Sequence, residues 1–150
     1  MPEGFVHERF NLLLGGAFAL AGTALGLDWN HPFWSGVAAG YLAGTFLVTP
    51  DVDHYPRYRT SPVQSWGRLG FVWMFYGLLF RHRGLSHNWI LGPLTRIVYL
   101  SPGLLLLGPL LQRFGLVPSP EALWGGLAGY YFSQWLHLWL DGIPLRLERL

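Results

Sequence analysis

Long stretches without a single charged residue limit what this chain can fold into more than any other feature. Residues 10–27 are uncharged, residues 29–50 are uncharged apart from His31, and residues 122–140 are uncharged apart from His137. Each run approaches the ~20 residues that cross a ~30 Å hydrocarbon core. Charged residues are only 12% of the chain, against the ~25% of ordinary soluble domains. Hydrophobic residues reach 51% of 150, more than so short a chain can bury in a core of its own. Lipid is the expected solvent.

Two further runs are less regular. Residues 89–111 are long enough to span, but Arg96, Pro93, Pro102 and Pro109 interrupt them, so a kinked or broken span is expected. Residues 69–80 are apolar but short, which suits a re-entrant or interfacial helix. The expected fold is therefore all-α: a polytopic membrane helix bundle of about four transmembrane spans plus one short helix, forming a single domain over residues 1–150. Glycines recur at four-residue spacing at Gly22 and Gly26, at Gly36, Gly40 and Gly44, and at Gly125 and Gly129. Such spacing lets helix backbones approach closely where packing replaces the hydrophobic effect.

That topology sorts the charges. If the first span leaves the side holding the N-terminus, that side collects Arg9, Arg57, Arg59, Arg68, Arg81, Arg83, Arg146 and Arg149, and the far side holds only Arg113. The positive-inside rule makes the N-terminal side cytoplasmic, as for a protein of the bacterial inner membrane. All ten basic residues are Arg, and the net charge is +2 with no basic stripe, which excludes nucleic acid as an expected partner. There is no Cys, so thiolate ligands and disulfides are excluded.

Nearly all the metal-capable side chains fall in four segments on the cytoplasmic side. They are His7 beside Glu8; Pro50-Asp51-Val52-Asp53-His54; Arg81-His82-Arg83-Gly84-Leu85-Ser86-His87; and His137 through Asp141. His137 and Asp141 stand at i and i+4, so one helical face presents an imidazole and a carboxylate together. Pro50 disfavours continuation of the second span, which places Asp51 and Asp53 on one side if the backbone is extended. Gly84 turns the third segment into a loop, so that His82 and His87 can converge. Mixed imidazole and carboxylate ligands suit Zn²⁺ best, with Mn²⁺ or Fe²⁺ as alternatives. The candidates outnumber the needs of one ion, so two are expected. Arg96 could hold a phosphate, pair with a carboxylate or snorkel.

An early His, then PDxDH, HRGxSH and a late HxxxD resembles the LexA-regulated, membrane-bound metal-dependent hydrolase family. The opening HERFNLLL and the motif spacing are more similar still to a neighbouring family of uncharacterised metal-binding membrane proteins. The resemblance runs from about Val6 to Asp141. It implies metal ligands at His7, Asp51, Asp53, His82, His87, His137 and Asp141, with His54 optional or behind the ligands. The pattern is also distantly similar to zinc-dependent phospholipase C, which implies phosphoester hydrolysis, including that of lipids.

The leading expectation is a metal-dependent hydrolase acting on a phosphoester or lipid substrate, with membrane lipid as its setting. Asp53 or Glu8 would serve as general base, and Arg81, Arg83 or Arg96 would steady phosphate charge. A second reading is non-catalytic: an ion that staples the helix ends of a small bundle. A third is a metal transporter, which would need ligands near mid-membrane.

Overall fold

The computed structural model describes residues 4–80, 82 and 84–144. Six α-helices lie among these residues: α1 (Gly4–Ala24), α2 (Pro32–Phe46), α3 (Ser61–Ser65), α4 (Trp73–Leu79), α5 (Leu91–Arg113) and α6 (Pro120–Leu140). Short 3₁₀ turns at Pro50–His54, Gly67–Val72 and Leu85–His87 link them, and no strand occurs among the described residues. The all-helical expectation holds. Of the described helices, Leu91–Arg113 alone is long and apolar enough to cross a membrane by length and composition. The second expected span, residues 29–50, shrinks to the 15 residues of α2, because the chain is still turning at its start and Pro50 opens a 3₁₀ turn at its end.

Local chemistry explains the helix ends. His31 Nδ1 accepts the Phe33 N–H at the start of α2, with Pro32 as the first helical residue. Ser119 Oγ accepts the Ala122 N–H at the start of α6, again followed by Pro. A fixed proline φ and an acceptor for an orphan N–H both favour initiation. Asn88 Oδ1 takes the N–H groups of Ile90 and Leu91 ahead of α5. Of the kinked or broken span expected here, the break does not occur, for the helix runs on through Pro102 and Pro109. Pro102 removes the N–H that would bond Val98 O, and the Ser101 hydroxyl donates to that carbonyl instead, at 2.7 Å, which repairs the loss locally.

The tightest packing joins α2 to α6, and glycine makes it possible. A Cβ at Gly36 would stand 2.0 Å from Ala122 O, and one at Gly40 would stand 1.9 Å from Gly126 O. From the other side, a Cβ at Gly125 would meet Phe33 O at 2.0 Å and one at Gly129 would meet Val37 O at 2.1 Å. The two backbones are in direct contact, as the small-residue spacing predicts. Gly22 and Gly26 serve otherwise: Gly22 faces the Trp29 and Leu27 side chains, and Gly26, at φ +75°, terminates α1.

A separate small core of Val52, Val63, Trp73 and Tyr76 lies under α4 and seats the Pro50–His54 turn. The opposite face of that region exposes Phe75, Leu78 and Leu79. Gly40→Leu should lower the thermal midpoint in detergent by the equivalent of at least about 2 kcal/mol, because backbone cannot yield to the new side chain. Gly16→Ala, with open space around its position, should be neutral or slightly stabilising. Equal effects from the two would disprove the backbone contact.

Candidate metal centre

The Pro50–His54 segment is a 3₁₀ turn, not the extended strand expected, and this sets the directions of its side chains. With three residues per turn, positions i and i+3 eclipse while i and i+2 diverge. Asp51 and His54 therefore share a face, with Asp51 Oδ1 4.0 Å from His54 Nε2. Asp53 points elsewhere.

Asp51 faces the ends of α1 and α6. Its Oδ1 is 3.6 Å from His137 Nε2. His137, in the last turn of α6, is 3.4 Å from Asp141 Oδ2, and Asp141 Oδ1 is 3.3 Å from His7 Nε2 in the first turns of α1. The His7 and His137 rings stack with centroids 3.9 Å apart. His137 Nε2 and both Asp141 oxygens are buried yet make no hydrogen bond. Buried polar atoms without partners are costly. Ligand atoms ~2.0–2.1 Å from a tetrahedral ion sit about 3.3 Å from one another, close to the separations seen here. The donor set and its spacing fit a divalent metal.

Asp53 is buried and gathers the third segment. His82 Nδ1 is 2.9 Å from Asp53 Oδ1, Ser86 Oγ donates to Oδ2, and His87 Nδ1 is 3.4 Å from Oδ2. His82 Nε2 is buried and makes no hydrogen bond. A carboxylate on one imidazole nitrogen with the other left for a metal is the usual way a ligating histidine is oriented. His54 lies tilted against His82 with ring centroids 3.7 Å apart, and the Tyr58 hydroxyl stands 2.5 Å from its Nδ1 and 3.2 Å from its Nε2. Among the described residues, two sets of atoms thus stand close enough to hold an ion: His7 with His137 and Asp141, and Asp53 with His54 and His82.

Several residues act differently from their sequence reading. Arg96 neither snorkels nor faces the site. It is fully buried, donating to Ser86 O and Gln134 Oε1 at 2.9 Å and to the Tyr130 hydroxyl at 3.2 Å. It thereby ties α5 and α6 to the segment that carries His87. Glu8 accepts a hydrogen bond from Ser61 Oγ, joining α1 to α3. Arg81 and Arg83 lie outside the described residues. Sequence reasoning missed Ser86 and Tyr58, whose only signal is adjacency to a histidine motif.

Burial alone would raise the Asp51, Asp53 and Asp141 carboxyls, but the imidazoles around them outweigh it. His137 lowers Asp51, His82 and His87 lower Asp53, and His137 and His7 lower Asp141, so all three lie below the ordinary carboxylate range. Burial pushes His87 and His54 down, with Asp53 opposing the shift in each. The carboxylates thus stay ionised and these imidazoles stay neutral at pH 7, the forms a metal needs.

Protons compete with the metal for imidazole lone pairs, so metal should leave as pH falls. Asp51, Asp53 and Asp141, held below the ordinary carboxylate range, stay ionised, so the loss follows protonation of the imidazoles. Elemental analysis after stepped-pH dialysis reads this directly, and metal content that does not fall between about pH 7 and about pH 4 would contradict it. Arg96→Met strips donors from Ser86 O and Gln134 Oε1, so it should cost about 2 kcal/mol in thermal unfolding. An unchanged midpoint would mean that Arg96 is not the tie described.

No solved structure matches the chain. A curated protein of Aquifex aeolicus (strain VF5), itself described only as an uncharacterized protein, is 39% identical over 74 residues. The match covers 49% of this chain and 47% of the relative, so the chain spans about half the length of the relative it matches. A family model, described as an uncharacterized metal-binding protein, matches residues 2–117. That stretch includes His7 and the two central histidine segments, while His137 and Asp141 lie beyond it. With most of its length matched and a donor set that fits a divalent ion, the chain belongs to the uncharacterized metal-binding protein family (DUF2227).

Proposed function

We propose that the protein is a metal-dependent hydrolase of a bacterial cytoplasmic membrane, acting on a phosphoester or lipid substrate at a site on the cytoplasmic side. One observation carries the reading. Five imidazoles and three carboxylates meet where the start of α1, the turn after α2, the His82–His87 segment and the end of α6 come together. That exceeds the four ligands of a closed structural ion.

The membrane setting is supported by the side chains. Leu13, Leu20, Leu105 and Leu106 are each about three-quarters exposed or more, and apolar surface on this scale needs a cover. The arginine bias then orients the site toward the cytoplasm. In this reading α1, α2, α5 and α6 cross the membrane, α2 packed along α6, and α4 lies at the interface.

When bound, a divalent cation supplies Lewis acidity, activating water near neutral pH and balancing charge that develops on an oxyanion. Zn²⁺ fits the donors best, and Mn²⁺ or Fe²⁺ also fit. His7, Asp51, His82, His137 and Asp141 are the residues assigned to hold metal, and His87, also held by Asp53, stands beside His82. Asp53, whose oxygens are already engaged and whose carboxyl is strongly acidic, suits orienting His82 and His87 better than accepting a proton. Glu8 is directed at Ser61, which leaves it a positioning part between α1 and α3. Arg83 is assigned to steady phosphate charge.

The non-catalytic reading draws on one observation: the buried His7–His137–Asp141 set joins α1 to α6 as a staple would. Transport fits less well, because the ligands sit at helix ends and not midway along them.

The test uses detergent-purified protein loaded with Zn²⁺ or Mn²⁺ and assayed on bis-p-nitrophenyl phosphate and on phospholipid vesicles. Metal-dependent turnover that falls at least about 100-fold in Asp51→Asn supports hydrolysis. Tight metal binding with no turnover on either substrate favours the staple. The chain has no Cys, so single cysteines at Asn30 and Ser65 can report sidedness in intact cells. Labelling of position 30 from outside and of position 65 only after lysis is expected, and the reverse pattern would overturn the orientation.

A further inference from the structure

The 3₁₀ turn gives Asp51 a position that neither histidine group has. Its Oδ1 stands 3.6 Å from His137 Nε2 on one side and 4.0 Å from His54 Nε2 on the other. It therefore faces both sets of metal-capable atoms, and within each set those atoms lie within 4.8 Å of one another.

The two sets differ in enclosure and in ligand number. The His7, His137 and Asp141 side chains are 4%, 4% and 1% exposed. With Asp51 they make four ligands, the complement of a closed site. The other set lies at the rim, with His54 and His82 side chains 14% and 17% exposed. Asp53 Oδ1 is taken up by His82 Nδ1 at 2.9 Å, so it stands behind His82. That leaves His54, His82 and Asp51, three ligands and water access, the pattern of a reactive site.

We propose that the centre holds two divalent ions bridged by Asp51, a buried one on His7, His137 and Asp141 and an exchangeable one on His54 and His82. The proposal rests on the metal reading above and deepens it. The buried ion joins α1 to α6 and leaves slowly. The rim ion exchanges with solvent and is the one that meets a substrate oxygen. His54, optional in the family resemblance, becomes a ligand, with the Tyr58 hydroxyl beside its ring at 2.5 Å from Nδ1 and 3.2 Å from Nε2. The staple and the hydrolytic site are then two halves of one centre, and a phosphoester is the substrate class best served by paired ions.

The experiment reads metal and not activity. Full-length protein in detergent is loaded with Mn²⁺, desalted, and examined by elemental analysis, electron paramagnetic resonance and timed removal by a chelator. Wild type should hold two equivalents with an exchange-coupled signal, lost in two phases that differ at least about tenfold in rate, as open and closed sites would. His54→Ala, a change at the solvent rim, should keep one equivalent, the slow one, with an uncoupled signal. Asp51→Asn should abolish the coupling. Circular dichroism melts of the metal-free forms show whether each variant is folded, and Tyr58→Phe gives a milder second probe, speeding only the fast phase.

One equivalent in wild type, unchanged by His54→Ala, overturns the two-ion centre and leaves the metal reading standing. Two equivalents without coupling, or coupling that survives Asp51→Asn, overturn the bridge. No bound Mn²⁺, Zn²⁺ or Co²⁺ in wild type overturns both readings together.

Discussion

Everything at the site depends on the contact between α2 and α6. At Gly36, Gly40, Gly125 and Gly129 the two helix backbones touch, with no room for a single methyl group. Contact this close forbids sliding and rotation, because any shift drives a carbonyl into the opposing chain. It delivers the end of α2, and with it Asp51, to the last turn of α6, where His137 and Asp141 wait. Dispersion between close backbones does not require water as the driving solvent, which suits helices whose outward faces carry leucine.

Below the metal-capable residues lies a buried polar layer that keeps the other elements in register. Asn11 of α1 donates to Thr45 Oγ1 and Ser133 O. Gln134 donates to Gly44 O and accepts from Arg96, which in turn holds Ser86 O. Each bond offsets the cost of burying a polar group. Together they leave one rotation for each helix. Arg96 also brings positive charge into an interior that holds three ionised carboxylates. Hydrogen bonds, not a direct ion pair, keep it there, and among the described residues no carboxylate lies within ion-pair distance of it.

Ser86 joins the two layers. Its carbonyl is fixed by Arg96 and its hydroxyl by Asp53. Asp53 in turn contacts the Nδ1 atoms of His82 and His87. Through this relay a charge on α5 sets the aim of imidazoles that it never touches.

The donor residues themselves were legible in the sequence, because their signals are local. HxxxD on a helix places His137 beside Asp141 by geometry alone, and four-residue glycine spacing marks the faces of α2 and α6. The chemical class of the site, imidazole and carboxylate without thiolate, also follows from composition. Other features had no local signal. Whether Asp51 and Asp53 point together or apart depends on whether the turn after Pro50 is extended or 3₁₀, and the small core beneath it, built from Val63, Trp73 and Tyr76, helps to seat that turn. The roles of Ser86 and Arg96 rest on contacts with residues 10 to 38 positions away. Local patterns thus mark which side chains could bind metal and which helices carry most of them. How those side chains divide is set by one tight turn and one close helix contact, whose consequences appear once distant segments meet.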